Sequence, residues 1–498
     1  MVKLFITKFF KTPPVYFALP GAAVSYYFAP LSSLFFMAAV LFLSLSFFWV
    51  LANLPASAAS CRRPYRISAA GLCALGIGLF LGFGARMAVE KPRSFGLEDG
   101  AVTAISGVLK EDPRLTAGGR GLGLLKLEGA AGKGGIRVSA RGEVTVFFPE
   151  GEISRLRAFG RGSSLFLEGE LARDRTGKAS LFRARSVHVT RPAPALENFR
   201  TSIRLRLMGR FAPYDWGGLA LALLLGIRDN LDTDLASSYK SAGCSHVLAL
   251  SGMHLAIVSG LLAFFLKKPL GLRAAAIAGG GFIAAYVFLI GLQPSLVRAA
   301  IMYLLGALAV LGSLPKRPSL LLALAFLIQL ALWPSSGNSL SFMLSYLALG
   351  GILVLGEAFH FLLRGKAPEI ILRPFSASVG AFIATAPVTA AFFGMVQPVG
   401  ILAGLIVVPL TTLFMIAAMA APVLSALVPP LGRAADFMLS LLYQILEKIV
   451  AAASLVPSPP ASRWQAVLLV SLGLSALILF IHYRENFRSK SLAPFNAG

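Results

Sequence analysis

From about residue 243 to residue 482, apolar stretches of 15 to 25 residues follow one another with hardly a pause. Roughly 20 such residues carry a helix across the hydrocarbon core of a bilayer, and one water-soluble core could not hide so many. The composition agrees, at 56% hydrophobic and 14% charged, where soluble domains carry about a quarter charged residues. Spans are predicted near 243–266, 272–292, 296–313, 318–333, 339–363, 374–393, 398–412, 413–428 and 464–482, with three earlier ones near 13–29, 33–52 and 68–89. The first follows Lys3, Lys8 and Lys11, but further apolar runs come soon after it, so it reads as a retained span and not a cleaved leader. The stretch 217–227 is too short to cross and reads as a re-entrant or interfacial piece. The region 434–456, with Asp436, Glu447 and Lys448, reads as amphipathic.

Between 92 and 192 the pattern changes. Charges become frequent and five short segments carry strand-like patterning: Ala101–Leu109, Leu122–Leu127, Ile136–Phe148, Ser164–Leu171 and Ser180–Val189. Turn-rich stretches at 117–120, 132–135 and 174–178 separate them. Five short strands in a hundred residues suit a small closed barrel, and the OB-fold leads. The fold class expected is therefore a polytopic α-helical membrane protein with an inserted small all-β, OB-fold-like domain. Four regions follow: N-terminal helices (1–91), the β domain (92–192), an interfacial helix with a polar connector (193–242) and a transmembrane domain (243–498). Residues 196–212 mix arginines with large apolar side chains, as a helix lying among lipid headgroups does.

The net charge is +24. Short cytoplasmic loops of membrane proteins collect Lys and Arg, and most of the excess falls in such loops. Alternation puts Lys267/Lys268, Lys316/Arg317, Arg364/Lys366/Arg373 and Arg484/Arg488/Lys490 on one side, together with Arg62, Arg63 and Arg66. Both termini are then cytoplasmic and the β domain extracytoplasmic, with the lipid bilayer between. Cys61, Cys73 and Cys244 show no metal spacing. No cofactor and no metal are expected.

The stretch 224–260 concentrates polar side chains where hydrocarbon is expected. A connector with Arg228, Asp229, Asp232 and Asp234 leads into an apolar run holding His246, Ser251 and His254. Such groups cost free energy in a membrane unless they are paired or face a cavity. On a continuous helix Ser251 and His254 would sit about 60° apart. Three readings stand open: a hydrogen-bonded packing knot, the lining of a polar path, or a Ser–His hydrolase. Small residues such as Gly243 and Gly252 also permit close helix contact.

At this point the chain resembles a known family. Gly226, Asp229, Gly243-Cys244-Ser245-His246 and Leu250-Ser251-Gly252-Met253-His254 resemble the signature of the ComEC family, the inner-membrane channel proteins of bacterial competence. The segment around Gln293, Ser295 and Arg298 is similar to its Ser-x-x-Arg-Ala stretch, and Ser341-Phe342-Met343-Leu344-Ser345-Tyr346 to its Ser-Phe-Gln-Leu-Ser-Phe stretch. Ala386-Pro387, Phe392-Phe393-Gly394 and Pro409 follow in the family's order. Two positions depart: Met343 stands where Gln is usual, and Trp333 where Asp is common.

The resemblance implies transport of single-stranded DNA across the cytoplasmic membrane during natural transformation, with no enzymatic activity in this chain. Many members carry a metallo-β-lactamase-like domain, but no His-x-His-x-Asp-His cluster occurs here. His188, His246, His254, His360 and His482 cannot build a two-zinc site from sequence neighbours. The form expected lacks that domain. Its partners are a DNA receptor, a separate nuclease and an ATP-driven motor, with homo-oligomerisation open. A channel for another polar or anionic solute is the alternative. Arg298 is the foremost intramembrane cation, read otherwise as an interfacial arginine that snorkels.

Overall fold

The computed structural model describes residues 15–28, 74–87 apart from 76, 95, 101–116, 120–132, 137–149, 151–173, 179–248, 252–314, 317–460 and 464–491. The predicted span at 33–52, the loop with Arg62, Arg63 and Arg66, Cys61, Cys73, Lys316, Ser251 and the turns at 117–119, 133–136 and 174–178 lie outside them.

Among the described residues, two helices, α1 (Val15–Phe28) and α2 (Ile77–Met87), precede a β domain. Its strands are β1 (Val102–Leu109), β2 (Arg114–Leu115), β3 (Gly121–Gly132), β4 (Arg137–Ser139), β5 (Glu143–Phe148), β6 (Ser164–Arg173) and β7 (Ala179–Arg191), with helix α3 (Ile153–Phe159) between β5 and β6. The sheet runs β1-β6-β7-β5-β3, and β1 also pairs with β3, so five strands close into a ring with one parallel pairing, β5 with β7. Alternation along each strand sends one set of side chains inward. Ile105, Leu125, Val144, Val146, Leu167 and Phe182 are fully buried there, and Leu156 of α3 closes one end. The predicted five segments thus become seven strands among the described residues. The expected strand 136–148 breaks at Gly142, whose φ of +114° turns the chain, and β2 is too short for its pattern to register.

After the barrel come α4 (Ala195–Phe211), α5 (Gly217–Leu225), α6 (Thr233–Ser241) and the single turn α7 (Ser245–Leu248). Helix α8 (252–270) runs into α9 (Gly271–Ile290) through Gly271 at φ +74°; then follow α10 (Pro294–Leu311), α11 (Pro318–Leu332), α12 (Leu340–Leu363), α13 (Glu369–Phe393), α14 (Val399–Leu427), α15 (Pro429–Ser454) and α16 (Trp464–Ser491). Among the described residues, six helices are long and apolar enough to cross a membrane: α9, α10, α12, α13, α14 and α15. Their outer faces carry well-exposed Leu308, Leu402 and Ile406. Hydrocarbon satisfies such faces and water does not.

Two expectations change, and two gain detail. The pair 398–412 and 413–428 is one helix, α14, because Pro409 and Pro422 lie inside it without ending it. The amphipathic region 434–456 belongs to a 26-residue helix of crossing length, α15, packed along α14, and Asp436 accepts from the Tyr214 hydroxyl at 3.0 Å. The predicted span 243–266 is not one straight helix: Gly243 turns at φ +71°, α7 is a single turn, and α8 ends in Lys267 and Lys268. Helix α5, read as re-entrant or interfacial, is enclosed by protein. All nine of its residues are buried, against α4, α7, α14 and α9, whose Tyr286 hydroxyl donates to the Leu224 carbonyl at 2.9 Å.

Candidate functional site

Three separated polar stretches of the sequence converge at the start of α10. Pro294 opens that helix, its fixed φ matching a first turn that needs no N–H. Gln293 caps it, its carbonyl accepting from Leu296 and Val297. Ser295 and Arg298 of the same turn are buried. The Arg298 guanidinium donates through Nη1 to the Ser345 carbonyl of α12 and lies 5.8 Å from the Tyr346 ring centroid. Tyr346 in turn donates to Gln329 Oε1 of α11 at 2.9 Å, and Gln329 Nε2 donates to the Pro294 carbonyl at 2.9 Å. Phe342 and Phe326 wedge Tyr346, with ring centroids 4.6 and 5.2 Å away.

Gly252 completes the knot from α8. A Cβ there would lie 2.6 Å from Arg298 Nη2. Gly252→Ala is therefore expected to push the guanidinium off Ser345, costing about 1–3 kcal/mol as overpacking does. Thermal unfolding in detergent measures it. In a cycle with Arg298→Ala the two losses should fall well short of additive, because removing Arg298 removes the clash.

Arg298 has no carboxylate partner among the described residues, and its Nε has no acceptor. A guanidinium carries five N–H donors. An uncompensated cation in such a place is expensive, and it raises the local potential for anions.

The other predicted residues lie elsewhere. His254 is buried on α8, His246 is exposed on α7 and Ser341 is exposed at the start of α12. The Ser251–His254 pairing falls on a residue outside those described. Gly243 packs against the turn before α14, where a Cβ would meet Gln397 and Gly400 at 2.9 Å.

Gly226 and Asp229 form a second centre, the seam between barrel and helices. Gly226 ends α5 at φ +70° and turns the connector toward the barrel. Asp229 accepts from the Leu115 backbone N–H at 3.1 Å and pairs with Arg157 of α3. Beside it, Arg200 of α4 is 1% exposed. It grips both oxygens of Asp112, at 3.0 and 2.5 Å, while its Nε donates to the carbonyls of Phe288 and Leu289 at the end of α9. Arg204 reaches the Leu289 carbonyl at 3.1 Å, and Arg161 pairs with Glu197. The arginines read as facing headgroups thus include two turned into protein; the exposed face of α4 carries Leu196, Phe199, Arg206 and Arg210.

Burial alone would raise the Asp112 pKa. The Arg200 hydrogen bond and the charges of Arg204 and Arg200 overcome it and hold the carboxyl below the usual aspartate value of 3.8. A carboxyl depressed in the docked state stabilises docking fully above its ordinary value and loses that as pH falls through the docked value. Barrel docking should therefore be flat from neutrality to about pH 4 and weaken below. Asp112→Asn should flatten that fall, read by limited proteolysis across pH with an acid-stable protease.

Sequence reading overlooked Gln329, Asp112, Arg157 and the inward role of Arg200. Gln329 was legible as the lone amide in the apolar run Pro318–Leu332. The seam partners carried no local signal.

The class is thereby set: a polytopic helical core with apolar outer faces, a closed β barrel latched to it and a buried cation where three helices meet. The profile of the family described as "Competence protein" matches residues 223–484, just over half of the chain, and the chain belongs to that family. ComE operon protein 3 of Bacillus subtilis (strain 168) is 31% identical over 142 residues, which are 27% of this chain and 18% of that protein. An uncharacterized protein of Aquifex aeolicus (strain VF5) is 27% identical over 261 residues, 52% of this chain and 59% of that one. The matches thus span less than two thirds of either relative. No solved structure matches the chain.

Proposed function

We propose that the chain conducts single-stranded DNA across the cytoplasmic membrane during transformation. The observation that carries this reading is the buried Arg298 guanidinium, which lacks a carboxylate partner among the described residues at the junction of three family-like stretches. A fixed cation of this kind is costly to a packing knot and useful to a path for phosphodiesters.

The basic clusters support an orientation. Helices α9 and α10 return the chain from Lys267/Lys268 to Arg317 on the same side; counting the shorter apolar helices α11 and α16 as crossings beside α12 to α15 brings the Arg364–Arg373 region and Arg484 to that side too. Replacing the predicted pair at 398–428 by α14 and α15 leaves that parity intact. With those clusters cytoplasmic, both termini are cytoplasmic and the turn 291–293 faces outward. The barrel, latched to the last carbonyls of α9, is then extracytoplasmic, on the side where α10 presents Arg298. Five closed strands with a helix between β5 and β6 fit an OB-fold, a common holder of single strands.

The chain moves the strand and makes or breaks no covalent bond. A receptor delivers DNA, a separate nuclease degrades the other strand, and an ATP-driven motor pulls. Deleting the gene in a competent host should abolish uptake of labelled DNA into the cytoplasm. Unchanged transformation would overturn the reading. Labelling of the native chain, but not of Ser251→Ala, by a serine-reactive probe would overturn the absence of chemistry.

A further inference from the structure

The seam between barrel and helices gathers more cations than the latch requires. Six arginines meet there: Arg114, Arg157, Arg161, Arg200, Arg204 and Arg228. Four acids answer them: Glu111, Asp112, Glu197 and Asp229. Arg157, Arg161, Arg200 and Arg204 spend their charge on those acids and on carbonyls. Arg114 meets only an acid exposed to solvent, Glu111, and Arg228 only a carbonyl, that of Leu248. They flank the contact in which the Leu115 N–H donates to Asp229, so chain connectivity alone sets them side by side across the seam. Arg114 is 55% exposed and touches only the equally exposed Glu111. Such a pair is worth little in water.

Arg228 is exposed, has no carboxylate partner among the described residues, and donates through Nη2 to the Leu248 carbonyl at 3.0 Å. Solvent reaches it, yet the walls of the seam and then the charge of Arg114 lower its pKa from the ordinary arginine value. Two like charges are thus held near each other at the edge of the seam, on either side of the Leu115–Asp229 hydrogen bond. Their mutual repulsion is relieved by an anion lying between them. The carbonyl that anchors Arg228 belongs to α7, and four residues beyond it stands Gly252, against which Arg298 packs.

We propose that Arg114 and Arg228 form a phosphodiester-binding mouth at the barrel–core seam, passing the backbone of a single strand toward Arg298. The proposal rests on the conduit reading and adds its point of entry. Guanidinium forks suit phosphate oxygens and read no base, so the site should accept any sequence.

The test uses the full chain in nanodiscs of zwitterionic lipid with a fluorescein-labelled oligothymidylate, by anisotropy from 50 to 300 mM salt. Each lost phosphate contact lowers the log–log salt slope by about 0.7 for single strands. Arg114→Ala and Arg228→Ala should each weaken binding and reduce the slope by about that amount, and the double variant by about twice it. Arg228→Lys should restore most of the slope. Arg185→Ala, which alters an exposed pair on β7, serves as control and should change less. Melting curves matching the native chain exclude loss of fold.

A native slope retained by both variants overturns the mouth and leaves the conduit reading standing. So does a loss no larger than that of the control. Absence of oligonucleotide binding by the native chain also overturns the mouth. Uptake after gene deletion, measured separately, then decides the conduit reading.

Discussion

Replacing Arg200 with alanine is expected to free the β barrel from the helical core. Arg200 is buried, holds both oxygens of Asp112 and caps the carbonyls that end α9. Its loss leaves Asp112 without its main counterion and three carbonyls with fewer donors. Removing one partner of a buried pair costs about 3–5 kcal/mol. That is a large part of what a domain contact provides. The barrel closes on its own strands and has its own core, so it should survive release as a folded unit. Limited proteolysis should then cut the connector near 192–195 rapidly in the variant and slowly in the native chain, with the barrel fragment resistant. Arg200→Lys should rescue little, because an ammonium cannot span two carboxylate oxygens and the α9 carbonyls together. Equal cleavage in native chain and variant would show that docking does not depend on this residue.

The seam also marks where sequence reading stops. Asp229 stood out as part of a recognisable motif, yet its partners are Leu115 and Arg157, more than 70 residues away, and no periodicity connects them. Arg200 and Arg204 looked like headgroup arginines because composition says nothing about which face of α4 meets protein. The barrel was legible because strand alternation is local, and its main strands appear close to where patterning put them. The helices after 243 were legible as apolar mass but not as boundaries. Pro409 looks like a break, although in an apolar helix neighbouring groups can absorb the lost hydrogen bond. Asp436, Glu447 and Lys448 made 434–456 read as amphipathic, while its crossing length and the Tyr214 hydroxyl that meets Asp436 came only from the structure. The Arg298 knot was readable residue by residue, while its closure through Gln329 and Tyr346 was not.

The Arg298→Met variant should be as stable as the native chain, or more so, while importing DNA roughly tenfold to hundredfold more slowly. The two halves of this expectation come from one fact. Arg298 is buried beside Tyr346 with only a main-chain acceptor, so the native fold bears the cost of its charge without an ion pair to offset it. Where buried charges are exchanged for apolar side chains of similar volume, stability is often unchanged or gains about 1–4 kcal/mol. Methionine fills irregular space well, and Phe342, Phe326 and Tyr346 already form an apolar wall around the site. If the guanidinium exists to meet a passing phosphodiester, its removal forfeits a charge-assisted hydrogen bond of about 1.5–3 kcal/mol, roughly a tenfold to hundredfold loss of import rate. A packing role makes the opposite forecast, with melting temperature falling and import following only as folded protein is lost. Melting in detergent and labelled-DNA import, measured on the same Arg298→Met preparation and strain, separate the two.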